Sequence, residues 1–486
     1  MQKIADVKNS LAVLQWDQET YLPSKGAERR GQQMATLSEI AHEWLTAPGL
    51  GDLLAELNSR ADLSPEEKRN ITLSLEDYTK QRKFSPEFIR LLSETTSRSF
   101  HSWIRARSAN SFALFEEDLD KVLQLKRQEA ELAGYKEHPY DALLDEFEKG
   151  CTVSLLNKTF DQVRGPLKDL LDKIRGQQQV DNSFLHGHYP KQAQWDFGMK
   201  LIREMGFDFD AGRQDVSEHP FTTSFSNEDV RITTRIDEND LGNMTWSCIH
   251  EAGHALYEQG LPGEYYGLPL GEYASLSIHE SQSRLWENNV GRSLAWWQHW
   301  YPLLQGSFPD RLGQVSLGQF YKGINKAGPS LIRTEADEAS YHFHVMIRYE
   351  LEKGLIEGSL SVKDIPAFWK EQYANYLGVI VPDDKRGCLQ DVHWSHGSFG
   401  YFPTYSLGSF YAAQLFAAAG KQEGSIQPEI ERGNAAPLLA WLRKNVHRYG
   451  RQYPSEELCR NATGETLNIQ HFLQYLVDKF DKIYIS

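Results

Sequence analysis

The residues best suited to chemistry lie in one short run, TWSCIHEAGHALYEQGLP, which contains His250-Glu251-Ala252-Gly253-His254. Two histidines four apart on a helix fall on one face a turn apart, so both imidazoles can reach one metal ion. Glu251 is then adjacent to that ion and can take a proton from a water molecule that the metal polarises. With 16 histidines in 486 residues, chance supplies such a pattern roughly 0.04–0.08 times per chain, so the motif is informative without being decisive. The bland alternative is a pair of solvent-facing histidines on an ordinary helix. A hydrolytic metal centre needs a third protein ligand. The next histidine along the chain is His279, so the carboxylates Glu264, Glu272, Glu280 and Glu287 are the natural candidates. Spacing alone does not choose between Glu280 and Glu287, and His279 is a further ligand or supporting partner. Cys248 projects to the far side of the helix.

Those residues need elements to hold them. The metal helix is expected to be capped by Asn243 or Thr245, to carry the apolar stripe Ile249, Ala252 and Leu256, and to stop at Gly260 and Pro262. SLSIHESQSRLWENN reads as a second helix with Glu280, Arg284 and Glu287 along one face. Before the metal helix, DVRITTRID alternates β-branched and polar residues, the mark of a half-buried strand, and FTTSFS at 221–226 is its expected hairpin partner through Asn227 to Asp229. Such a hairpin is either a surface feature or an edge along which a peptide lies. Residues 1–205 read as helical, with Ser64-Pro65 and Ser85-Pro86 as starts. Residues 330–353 read as one helix bearing Ile332, Ala336, Ala339, Phe343 and Met346, ended by Gly354. Residues 382–403 are irregular, and Pro403 opens a helix that Gly420 ends.

Composition fits a large soluble protein. The net charge is −15, which disfavours a phosphate backbone as partner. Basic clusters such as Arg29-Arg30 are short, so no nucleic-acid partner is expected. Four widely spaced cysteines with no C-x-x-C pair suit a reducing compartment. No apolar window approaches the length needed to span a bilayer and the N-terminus lacks a signal-peptide pattern, so a cytoplasmic chain without a membrane partner is expected. No repeat or linker divides the sequence. It reads as one large mainly α domain over 1–486, with 1–205 as a helical half and 206–486 as the half carrying the metal site.

Six motifs in order then resemble the carboxypeptidase Taq family of zinc metallocarboxypeptidases. They are His219-Pro220-Phe221, Asp229-x-Arg231-x-Thr233, the His250–His254 motif, His279-Glu280-Ser281-Gln282, Ile332-Arg333-x-x-Ala336-Asp337, and Gly387-x-x-Gln390-Asp391-x-His393-Trp394. The resemblance implies a helical fold with a deep groove and a small sheet beside the metal helix. It implies His250, His254 and Glu280 as ligands of zinc, with cobalt as the other metal to consider, and Glu251 as general base and acid. It further implies release of C-terminal residues one at a time with broad specificity, and a homodimer.

The remaining roles follow from what the reaction requires. A tetrahedral oxyanion needs a donor facing it. Tyr405 resembles the tyrosine that does this in related helical zinc peptidases, with His396 as assistant and Tyr401 as competitor. A free C-terminal carboxylate calls for an arginine fork, and Arg333 and Arg386 are the candidates; an Arg333–Asp337 ion pair is the structural alternative for the first. His219 and Arg231 either touch substrate or hold structure, and Asp391 is placed to orient His393. Two rival readings share these residues. One is an oligopeptidase that cuts internally and accepts amidated peptides. The other is a non-catalytic binding protein, which would be expected to have lost Glu251 or a ligand.

Overall fold

Local sequence chemistry sets several of the helix ends. The structure is a computed structural model and describes residues 1–424 and 426–485. The Ser85 hydroxyl accepts from the Phe88 N–H and Pro86 occupies the first turn of the helix Pro86–Ala109, an N-terminus in which one orphan donor is satisfied and one is absent. The helix Pro65–Gln81 also starts at its expected proline. The architecture is mainly helical with one small sheet. Backbone contacts divide the chain into two compact units. The first comprises Met1–Gln81, Val180–Asn325 and Tyr411–Asn468; the second comprises Arg82–Gln179, Lys326–Phe410 and the residues from Ile469 onward.

In the first unit, helix α1 (Gln2–Thr20) packs on a sheet of β1 (Gly212–Val216), β2 (Thr222–Ser226) and β3 (Asp229–Thr234). The expected hairpin forms, with β2 antiparallel to β3 in the register Thr222↔Ile232. It is not a surface feature. β1 joins β3 parallel on its other side, so β3 is the central strand and Val230, Ile232, Thr233 and Thr234 are fully buried. β1 was not expected, because GRQDV has no apolar alternation and gains its strand geometry from its partner. Arg231 bonds both oxygens of Asp229 and lies 4.4 Å over the Trp16 ring and 5.0 Å over Phe225, a cation–π sandwich that ties α1 to the sheet.

Behind the sheet runs α2 (Leu241–Glu258), which carries the metal motif. Its cap is Asp240, whose carboxylate accepts from Gly242 N–H at 2.8 Å. Neither expected cap serves, since Thr245 lies inside the helix and returns its hydroxyl to the Leu241 carbonyl. Ile249, Ala252 and Leu256 are all buried. Helix α3 (Leu276–Arg284) starts at Ser275, which accepts from Ile278 N–H, and continues into a wider π turn, Leu285–Val290.

In the second unit the reading of 330–353 as one helix is corrected. Arg333–Glu335 is a 3₁₀ turn and α4 begins only at Tyr341, running to Glu357. The Asp337 carboxylate accepts from the N–H groups of Gly328, Ala339 and Ser340, and such local bonding competes with helix. The helix passes Gly354 and ends at Gly358, whose φ of 89° is the left-handed stop. Residues 382–402 are irregular apart from a short 3₁₀ turn, and α5 (Pro403–Gln422) starts at its proline. All four cysteines are buried free thiols. No helix of the described residues is long and apolar enough to cross a membrane.

Candidate metal centre

The first unit gathers a donor set from α2 and α3. His250, His254 and Glu280 bring ligand atoms within 4.8 Å of one another. His250 Nε2 lies 3.8 Å and His254 Nε2 3.5 Å from Glu280 Oε2. The opposite ring nitrogens are already engaged: His250 Nδ1 sits 2.8 Å from Glu287 Oε2, and His254 Nδ1 sits 3.0 Å from the His279 carbonyl oxygen. Both rings are thereby oriented with Nε2 toward Glu280. Two imidazole nitrogens and one carboxylate oxygen, each oriented by an outer partner, are a donor set that could hold one metal ion.

Glu280 and Glu287, which spacing left undecided, face opposite nitrogens of His250: Glu280 the Nε2 side and Glu287 Nδ1. Arg284 lies between them, donating from Nε to Glu280 Oε1 at 2.7 Å and from a terminal nitrogen to Glu287 Oε2 at 3.2 Å. Burial alone would raise the Glu287 carboxyl, but Arg284, His250 and Arg292 hold it well below the usual carboxylate range. His279 turns its Nε2 to Glu258 at 2.8 Å. Cys248 faces away, toward the Gln214 side-chain oxygen. Glu251 is buried, and burial raises its carboxyl above the ordinary value. Its Oε2 accepts from the Thr222 hydroxyl at 2.5 Å. His219 belongs to this unit and its ring is exposed; its carbonyl accepts from Ser217.

The second unit holds another polar cluster. Arg333 is 6 % exposed, donates to Asp391 Oδ1 from Nε at 3.0 Å, and reaches the Tyr341 hydroxyl at 2.9 Å. Asp337, spent on backbone amides, forms no ion pair with it. Arg348, fully buried, donates to Asp391 Oδ2 at 2.7 Å. Burial would raise the Asp391 carboxyl, yet Arg333 and Arg348 hold it far below its ordinary value. Because both oxygens go to arginines, Asp391 does not orient His393 as expected. His393 Nε2 pairs instead with the Tyr405 hydroxyl at 3.2 Å, and burial pushes its pKa down to about 3. Tyr401 lies 5.2 Å from the Tyr405 ring. His396 is exposed and packs at a tilt against Phe100, with ring centroids 4.8 Å apart. Arg386 is also exposed, and Asp383 binds it through two nitrogens.

A family model described as carboxypeptidase Taq (M32) metallopeptidase matches residues 1–480. The chain belongs to the carboxypeptidase Taq family. It is 40 % identical over 486 residues to thermostable carboxypeptidase 1 of Thermus thermophilus, covering 97 % of this chain and 95 % of that one. It is 36 % identical over 487 residues to carboxypeptidase 1 of Bacillus subtilis, covering 100 % and 97 %. The solved M32 carboxypeptidase of Deinococcus radiodurans superposes with a TM-score of 0.97 at 39 % identity, covering 99 % and 97 %. This metallopeptidase family makes the chain a metallocarboxypeptidase and a peptide hydrolase, as its motifs led one to expect.

Three residues of this carboxypeptidase escaped sequence reasoning. Thr222 meets Glu251 from a strand 29 residues upstream, and only its position directly after His-Pro-Phe marks it. Arg348 is the one Lys, Arg, Asp or Glu in the first half of α4, and an isolated charge there was the available signal. Glu352 is fully buried in α4 and accepts from Trp394 Nε1 at 2.7 Å and Gly400 N at 2.8 Å. It holds the irregular segment on which the His/Tyr-rich residues lie.

Proposed function

We propose that this chain is a zinc-dependent carboxypeptidase that releases C-terminal residues one at a time, with broad specificity, from peptides bearing a free carboxylate. The observation that carries this reading is the convergence of His250 Nε2, His254 Nε2 and Glu280 Oε2 beside the buried carboxylate of Glu251. A zinc ion held by those three side chains would supply Lewis acidity to the scissile carbonyl and make a water molecule easier to deprotonate; cobalt would suit the same donors. Glu251 accepts the proton of the attacking water and returns it to the leaving amine. Tyr405 is assigned the donor role toward the oxyanion, with His396 assisting and Tyr401 the competing choice for that role. His219 is assigned to substrate.

Of the two arginines, Arg333 is favoured for the terminal carboxylate. It and Arg348 bring two positive charges to the single carboxylate of Asp391, so one unit of positive charge remains to attract an anion. Arg386 is exposed and neutralised by Asp383. The free acid is therefore required in a substrate. We place the enzyme in the cytoplasm as a homodimer, with neither nucleic acid nor membrane as partner.

The test compares a free-acid peptide with its C-terminal amide, followed by mass spectrometry of products. Wild type, Glu251→Gln and a chelated sample are run together. The expected result is a ladder of single C-terminal losses from the acid only, absent from the variant and the chelated enzyme, and restored by zinc. Internal cuts in both peptides would overturn the exopeptidase reading, and full activity in Glu251→Gln would overturn the role of Glu251.

A further inference from the structure

Two sequence motifs, His219-Pro220-Phe221 and Asp229-x-Arg231-x-Thr233, supply no ligand to the metal donor set. They meet on the sheet. Thr233 exchanges both main-chain contacts with Phe221: its N–H donates to the Phe221 carbonyl at 2.9 Å, and its hydroxyl accepts from the Phe221 N–H at 3.0 Å. Ser217 Oγ lies 2.7 Å from Thr233 Oγ1 and 2.6 Å from the His219 carbonyl oxygen. Ser217 N–H donates to the Thr234 carbonyl at 3.1 Å. Residues 217–221 are thus fixed at several points to the buried central strand. The next residue is Thr222, the first of β2, and its hydroxyl is the group that reaches Glu251 Oε2 at 2.5 Å, with the Glu251 carbonyl oxygen also 3.1 Å away.

We infer that Thr222 is the positioning residue of the general base, and that the two motifs exist to deliver its hydroxyl there. This rests on the reading of Glu251 as the base. A glutamate side chain has three rotatable bonds, and proton transfer needs its oxygen placed to within a fraction of an ångström. A hydroxyl donating to Oε2 removes that freedom. It also selects the oxygen, because Oε2 is engaged while Oε1 accepts no hydrogen bond among the described residues and is left to exchange the proton. β2 is an edge strand and β3 anchors it from the centre of the sheet, so the donor is fixed from a second element and does not depend on the helix that carries Glu251.

The test is steady-state hydrolysis of a free-acid peptide by Thr222→Val, which keeps the shape and removes the hydroxyl, and by Thr222→Ser, which keeps the hydroxyl. Thr222→Val should lower kcat by about 10- to 100-fold, the worth of a hydrogen bond to a charged group, with KM within about two-fold and bound metal unchanged. Thr222→Ser should recover most of kcat. Wild-type kcat in Thr222→Val, or equal losses in the Val and Ser variants, overturns the inference. If Thr222→Val does not fold, Thr222→Ala against Thr222→Ser makes the same comparison, and equal kcat overturns it. Glu251→Gln is run alongside: an active Glu251→Gln sinks the underlying reading, whereas an inactive one with wild-type kcat in Thr222→Val sinks only the role of Thr222.

Discussion

Gly253, between the two histidines of the motif, sets how closely α2 approaches α3. A Cβ built there would stand 2.7 Å from Ser283 Cα, 2.8 Å from the Gln282 carbonyl oxygen and 3.1 Å from Ser283 N. All three are backbone atoms and cannot rotate away. Ordinary contact begins at 3.4 Å, so in Gly253→Ala the helices must part by about 3.4 − 2.7 = 0.7 Å. Metal–ligand distances tolerate only about 0.2 Å, and Glu280 lies on the helix displaced. Metal affinity should therefore fall by at least the 10- to 100-fold, roughly, seen when a ligand's supporting partner is lost. Stability separates the explanations by sign. Alanine in a helix interior is favoured over glycine by about 1 kcal/mol, whereas rigid overpacking costs about 1–3 kcal/mol, so the metal-free variant should lose up to about 2 kcal/mol. Gly31, in the helix Ala27–Thr46 with nothing within 4 Å of a built Cβ, is the control, and Gly31→Ala should gain stability. Affinity is read by competition with a chromogenic chelator and stability by denaturant unfolding of the metal-free protein. Wild-type affinity in Gly253→Ala together with a gain of about 1 kcal/mol would refute the reasoning, since the helices would then have room to spare.

Other consequences follow from single contacts. Glu287→Gln, which weakens the bond to His250 Nδ1, should lower metal affinity about 10- to 100-fold in the same chelator competition; an unchanged affinity would mean that packing alone aims the ring. Asp391→Asn leaves the buried guanidinium groups of Arg333 and Arg348 without their counter-charge and should cost about 3–5 kcal/mol in denaturant unfolding, while Arg386→Ala, at an exposed pair, should leave the midpoint unchanged. His447 is fully buried, pairs with Gln282 at 3.0 Å, and burial pushes its pKa down from 6.5 to about 3. The unfolded chain then binds a proton that the folded chain does not, so its contribution to stability is intact above pH 6.5, falls as the pH drops below that value, and levels off below pH 3. Between pH 8 and pH 5 the loss from this group is about 2 kcal/mol, and His447→Gln should show a pH slope shallower by that amount; equal slopes would contradict it.

How much of this was legible in the sequence depended on how far apart the cooperating residues lie. His250 and His254 share one helical turn, so their convergence could be read from spacing, and so could the neighbouring place of Glu251. The hairpin 222–234 was equally local. Glu280 and Glu287 could not be told apart, because their difference is which nitrogen of His250 each one faces, and that depends on how α3 docks on α2. The false helix at 330–340 has the same origin. Its apolar spacing is real, but the Arg333 N–H goes to Gln390, 57 residues later, and its guanidinium goes to Asp391. The cap was read as Asn243 or Thr245 and Asp240 was passed over, because Asp and Asn both cap well and only the backbone geometry shows which residue stands outside the first turn.

Two departures from local rules in the first unit converge on a single imidazole. A glycine in mid-helix weakens α2 by about 1 kcal/mol, and a π turn interrupts the regular hydrogen bonding after α3. Gly253 allows the approach that brings Glu280 Oε2 toward the Nε2 side of His250. The π turn Leu285–Val290 contains Glu287, whose carboxylate meets Nδ1 on the other side of the same ring. A regular α3 with alanine opposite it would satisfy every local preference and would separate the groups the chemistry requires. Local irregularity retained where two carboxylates must bracket one histidine is what a chain under functional constraint should show.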